Sequence, residues 1–202
     1  MQDSNEKIKV AALKALTAFL TSIDDDELIM QYEGMMSDLL DIVISVLKAD
    51  ETKGQASLES MIELTQSFGE IWHKCAKKLI FTCSQIMSNS NFEDETRQSA
   101  LEIISTLAEN SPQVLRENQA DLKEHFFAAI AQMLTEPSNA DDPQAWADEI
   151  EEEELQAKND PCSVASEALA RIADDLGEKT TIACVTDLIK QAITNEKWTV
   201  RQ

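Results

Sequence analysis

The stretch Glu95-Thr96-Arg97-Gln98-Ser99-Ala100-Leu101-Glu102-Ile103-Ile104-Ser105-Thr106-Leu107-Ala108-Glu109-Asn110 decides the fold. Leu101, Ile104, Leu107 and Ala108 recur at helical spacing, which predicts an amphipathic helix over about Asp94 to Glu109. Its small-residue-then-Leu junction, Ala100-Leu101, returns along the chain. Lys7-Ile8-Lys9-Val10-Ala11-Ala12-Leu13 aligns with Glu95 to Leu101, and the junction recurs at Ser57-Leu58 and Ala168-Leu169. Leu13 to Leu58 is 45 residues and Leu58 to Leu101 is 43. That is the period of a two-helix HEAT or armadillo unit, ~40–47 residues. Leu101 to Leu169 is 68, and the excess falls where the sequence turns acidic. The expected fold is therefore all-α, a HEAT-repeat solenoid of about four repeats over residues 1–202, with one acidic loop insertion at 137–160.

Seven further helices surround this one. The first is expected over about Glu6 to Ile23, the second over Glu33 to Leu47, the third over Lys53 to Phe68 and the fourth over Ile71 to Met87. The sixth is expected over Gln119 to Leu134, and the eighth over Thr180 to Thr194. The seventh starts after Asp160-Pro161, an N-cap followed by proline, and stops at Gly177. A ninth begins near Glu196. The junction helices end near Asp24, Gly69, Asn110 and Gly177, read as left-handed caps of differing quality. Small residues before each Leu let neighbouring helices approach closely. Lys9, Arg97 and Arg201 stand at equivalent places, four residues before the Leu position, where a cation can pair with acids of the next unit. The chain opens on the second helix of one unit and closes inside the second helix of another. Apolar faces at both ends make it an expected piece of a longer solenoid.

Glycine and proline number four each, aromatics are 5%, and the formal net charge is −21. Such acidity argues against direct nucleic-acid binding, which needs Lys and Arg to replace counterions. It favours basic partners, or serves solubility alone. Cys75, Cys83, Cys162 and Cys184 form no C-x-x-C pair, and all but Cys162 fall among apolar residues of expected helices. No signal peptide and no membrane-length apolar run is present; the longest, Leu39 to Leu47, is broken by Asp41 and Ser45. Catalysis finds no base here: His73 and His125 are the only histidines, Gly54 and Gly69 stand alone, and no phosphate loop exists. No enzyme activity, metal or cofactor is expected.

The insertion holds nine acids and one lysine from Pro137 to Asp160. A block of this kind self-repels and is expected to form a loop. Trp146 is out of place in an inert acidic tract. The segment therefore reads as an electrostatic clamp for a basic surface, with Trp146 as an anchor.

The run Trp146-Ala147-Asp148-Glu149-Ile150-Glu151-Glu152-Glu153-Glu154, followed by Ser166-Glu167-Ala168-Leu169-Ala170-Arg171-Ile172-Ala173 and Leu176-Gly177, resembles the acidic-loop repeat of the importin β family, of the importin-5 or importin β-3 type. The stretch from Ala100 to Pro112 and the closing Asn195-Glu196-Lys197-Trp198-Thr199-Val200-Arg201 are similar too. This resemblance covers essentially the whole chain, most weakly before about Lys53. It implies a nuclear import receptor (karyopherin) that shuttles between cytoplasm and nucleus. Such a receptor binds Lys/Arg-rich nuclear localisation signals of cargo, passes Phe-Gly nucleoporins and releases cargo to Ran-GTP. The Ran or cargo role falls on Asp141, Asp142, Trp146, Asp148, Glu149, Glu151, Glu152, Glu153 and Glu154. Cargo lysines would meet the inner-helix acids Glu59, Glu63, Glu102, Glu109, Glu167 and Asp174. Where relatives often carry an acid after the Ala-Leu of the loop repeat, this chain has Ala170. Two rival readings are a HEAT scaffold subunit of another complex and an acidic chaperone for basic proteins such as histones or ribosomal proteins.

Overall fold

The computed structural model describes residues 5–136 and 160–201, and every regular element among them is helical. The main helices are α1 (Glu6–Thr21), α2 (Met36–Ala49), α3 (Glu51–Ser67), α4 (Ala76–Met87), α5 (Asp94–Asn110), α6 (Phe127–Leu134), α7 (Pro161–Leu176) and α8 (Glu178–Ile193). Six of them fall within a turn of the sequence expectations, and α4 and α6 begin later, after segments of other helical type. Shorter helices at Asp26–Met30 and Pro112–Glu117 occupy connections that the sequence reading left without structure. Trp198–Arg201 opens the expected ninth helix.

The helices stack in two layers. Those bearing the small-residue-then-Leu junction, α1, α3, α5 and α7, pack in sequence as one layer, and α2, α4, α6 and α8 form the other. Hairpin partners α2 with α3, α4 with α5 and α6 with α7 pack across the layers. The repeat read from leucine spacing is therefore the packing unit. Leu13, Leu58 and Leu101 are fully buried, whereas Leu169 is only partly so, and Ala165, Ala168, Ile172 and Leu176 carry the buried stripe of α7.

Local chemistry sets the helix ends. Asn5 accepts the Lys7 N–H at 3.0 Å and Asp50 accepts that of Lys53 at 3.2 Å. Asp160 accepts the Ser163 N–H at 3.0 Å, with Pro161 in the first turn as expected. Gly177 ends α7 at φ 80°, the one positive φ among the described residues. The left-handed caps expected near Asp24, Gly69 and Asn110 are thus absent. Gly69 serves close approach instead: a Cβ there would lie 2.6 Å from Ser111 Oγ and 3.0 Å from Leu107 Cδ1.

Two helices depart from regular α geometry. The expected helix from Ile71 begins as a 3₁₀ segment, Gly69–Cys75, and turns α at Ala76. Tertiary contacts hold the tighter turn. The buried carboxylate of Glu33 accepts the Lys74 backbone N–H at 3.0 Å and pairs with its ammonium at 2.6 Å. Fully buried Trp72 donates Nε1–H to Thr65 Oγ1 at 2.9 Å. The expected helix from Gln119 to Leu134 contains a π turn, Leu122–Phe126. Both Phe126 and Phe127 reach the core around it, their rings edge to face with centroids 5.7 Å apart.

Candidate protein-binding faces

The layer α1/α3/α5/α7 carries all six inner-helix acids. Glu59 and Glu63 lie one turn apart on α3, exposed. Neither has a partner among the described residues. Glu167 and Asp174 are exposed on α7 in the same condition, with exposed Ala170 between them. Glu102 and Glu109 on α5 are different. Arg171, from α7, donates Nη1–H and Nη2–H to the two carboxylate oxygens of Glu102, each at 3.1 Å, and Nε–H to Glu109 at 2.8 Å. These hydrogen bonds, from Glu102 foremost, hold the guanidinium charged beyond its already high range against the cost of partial burial. The structure therefore divides the six acids into four open ones and two that share a single internal guanidinium.

The expected cation positions behave unequally. Arg97 is buried; its Nε–H donates to the Met87 carbonyl at 2.7 Å and Nη1 meets Glu136, past the end of α6 in the next unit, at 2.8 Å. That is the inter-repeat pair foreseen. Lys9 instead donates to the Ser45 hydroxyl at 3.1 Å, and Arg201 to the carbonyls of Asn195 and Glu196. Sequence reasoning missed Arg171, which makes the fullest cross-repeat pairing in the layer. Its partners lie 62 and 69 residues away, beyond any local pattern.

Asp141, Asp142, Trp146, Asp148, Glu149, Glu151, Glu152, Glu153 and Glu154 lie outside the described residues. The segments bracketing them are fixed. Cys162 Sγ–H donates to the Leu134 carbonyl at 3.2 Å, Glu136 is held by Arg97, and Asp160 caps α7.

The opposite layer has its own feature. A groove of about 620 Å³ opens between α2 and α4, lined by Ile44, Leu47, Phe81 and Phe92 with the lysines Lys48 and Lys78. Phe81 is 46% exposed and stands edge-on to His125, centroids 5.1 Å apart. Lys78 ties the two helices through the Ser37 carbonyl at 2.8 Å and Asp41 at 2.7 Å. Further along, Lys123, in the π turn that precedes α6, reaches α8 through Asp187 at 2.6 Å. His73 pairs with Glu117 at 2.8 Å.

Cys75, Cys83 and Cys184 are buried. Burial pushes the Cys75 thiol up to about 11 and the Cys83 thiol to about 12, far from the thiolate that nucleophilic chemistry requires. No set of three His, Cys, Asp or Glu among the described residues is placed to hold a metal ion.

Residues 89–183 match the family model described as an importin repeat, and residues 1–80 match the model described as IPO5-like, TPR repeats. A two-layer array of paired helices, matched along most of its length by these two models, supports a karyopherin fragment of the importin β family. It is similar to importin subunit beta-3 of Saccharomyces cerevisiae, 26% identical over 203 residues, covering 98% of this chain and 18% of that protein. Among solved structures it is similar to a multiply substituted Kap121p, at 25% identity and a TM-score of 0.85 over 98% of this chain and 19% of that one. Kap121p bound to RanGTP shares the fold at 23% identity and a TM-score of 0.85, over 98% of this chain and 19% of that one. The chain thus spans about a fifth of the length of these relatives.

Proposed function

We propose that this chain forms part of a nuclear import receptor, shuttling between cytoplasm and nucleus. Its acidic layer receives Lys/Arg-rich cargo signals, and the acids between 141 and 154 meet Ran-GTP or cargo. The observation that carries this reading is the importin-repeat match laid over a layer that leaves Glu59, Glu63, Glu167 and Asp174 exposed. The net charge of −21 supports it, because a negative surface draws and orients basic partners. The solved complex of Kap121p with RanGTP makes Ran the first partner to test. The aromatic-lined groove between α2 and α4 is the place offered to Phe-Gly nucleoporins. Phe81 and Phe92 suit a phenylalanine ring, and the site lies away from the acidic layer.

The deciding experiment titrates the chain with Ran carrying a GTP analogue or GDP, at two salt concentrations. A second titration uses a variant with Asp148→Asn and Gln in place of Glu149, Glu151, Glu152, Glu153 and Glu154. Preference for the GTP form, lost in the variant, supports the receptor reading and a Ran contact within 141–154. Equal, salt-sensitive binding to both forms, matched by an unrelated basic protein, favours an acidic chaperone. Absence of both kinds of binding would leave a HEAT scaffold as the better account.

A further inference from the structure

Arg171 occupies the middle of the acidic layer. Its planar fork lies against both oxygens of Glu102 while its Nε–H reaches Glu109, the arrangement by which a protein grips an arginine of a partner. Here the guanidinium belongs to the chain itself and comes from the next repeat. All three side chains remain 36–41% exposed, so water and a competing cation reach them. Glu59 and Glu63, one repeat earlier, carry no such internal cation among the described residues.

We infer that Arg171 is an internal competitor that closes the α5 acids to basic partners and steers an incoming Lys/Arg-rich segment to the acids of α3 and α7. This rests on the reading that the layer receives such segments. A tethered guanidinium stands at an effective concentration of order mM for its carboxylates, so a free peptide displaces it only at a cost in affinity. Arg171 thereby sets where along the array a basic segment lands. The α5 acids become available only when Arg171 turns away.

The test uses a fluorescein-labelled peptide of alternating lysine and glycine, read by fluorescence anisotropy at low salt. Arg171→Gln is expected to bind it about five- to tenfold tighter than the unsubstituted chain, the worth of one or two partly exposed charge-assisted contacts. Adding Glu102→Gln and Glu109→Gln to that variant should erase the gain. Lys123→Gln removes one positive charge from the other layer, and should change affinity by less than about twofold; it separates a local effect from a change in net charge. Arg171→Lys keeps the charge without the fork and should give an intermediate gain, with circular dichroism confirming that each variant is folded. If Arg171→Gln gains no more than Lys123→Gln while Glu59→Gln/Glu63→Gln weakens binding, the competitor role is overturned and the acidic face stands. A peptide that binds no variant, or is indifferent to Glu59→Gln/Glu63→Gln and Arg171→Gln alike, overturns both.

Discussion

Gly54 sits in the first turns of α3, where an alanine would ordinarily favour the helix by ~1 kcal/mol. The packing reverses that sign. A Cβ at Gly54 would fall 2.4 Å from Leu47 Cδ2 and 2.7 Å from Leu47 Cα, and the second contact is backbone with little room to yield. Gly54→Ala is therefore expected to destabilise the chain by about 1–3 kcal/mol, read as a lower denaturation midpoint in urea. The cysteines give a second outcome at this scale. Cys83 is fully buried with its thiol near 12, while Cys162 is partly exposed. Because the thiolate is the species alkylated, iodoacetamide at neutral pH should label native Cys162 well before Cys83, with the order followed by mass spectrometry. Early labelling of Cys83 would mean that α4 opens readily.

Among the elements, the 3₁₀ segment Gly69–Cys75 depends most on a single side chain from elsewhere. Glu33 is 3% exposed and satisfies the Lys74 backbone N–H, while the Lys74 ammonium is 71% exposed and keeps its water either way. The stabilising contribution is thus the capture of a backbone donor rather than the ion pair. Glu33→Ala should cost about 1–3 kcal/mol, and Glu33→Gln, which keeps an acceptor, clearly less. Equal losses in the two would assign the energy to charge. The same contrast explains what the sequence made legible. The apolar period ran unbroken through all eight main helices, and Pro161 with Gly177 marked the limits of α7. The 3₁₀ and π segments were not legible, because distant groups such as Glu33 and the paired Phe126 and Phe127 select them. For the acidic face, the family resemblance pointed to six acids on the junction helices. It had no means of telling that Arg171, on another repeat, would claim two of them.

Across the whole molecule, 38 acidic side chains face 17 basic ones. Self-repulsion of that size opposes the compact state, and the described pairs that salt would weaken are mostly exposed and small in effect. Screening should therefore stabilise on balance. Moving from low to near-physiological ionic strength is expected to raise the Tm by roughly a few degrees, followed by circular dichroism. A falling Tm would mean that the cross-layer pairs outweigh the repulsion. Exposed Asp187, held below its ordinary range by Lys123, works in the direction expected of a paired carboxylate. Its contribution is present above the ordinary carboxylate range and is lost as the pH falls through its lowered value.

The hydrogen bond from Cys162 to Leu134 holds together, on the α6–α7 hairpin, the described segments that flank residues 137–159. Two anchors tied to each other feel little strain from an insertion between them, and doubling the length of a flexible connection costs only ~0.6 kcal/mol of closure entropy. The position is thus a natural splice point. A compact foreign domain with neighbouring termini, such as a fluorescent reporter, can be grafted there while α6 and α7 keep their partners, turning the array into a carrier whose stacking is indifferent to its passenger.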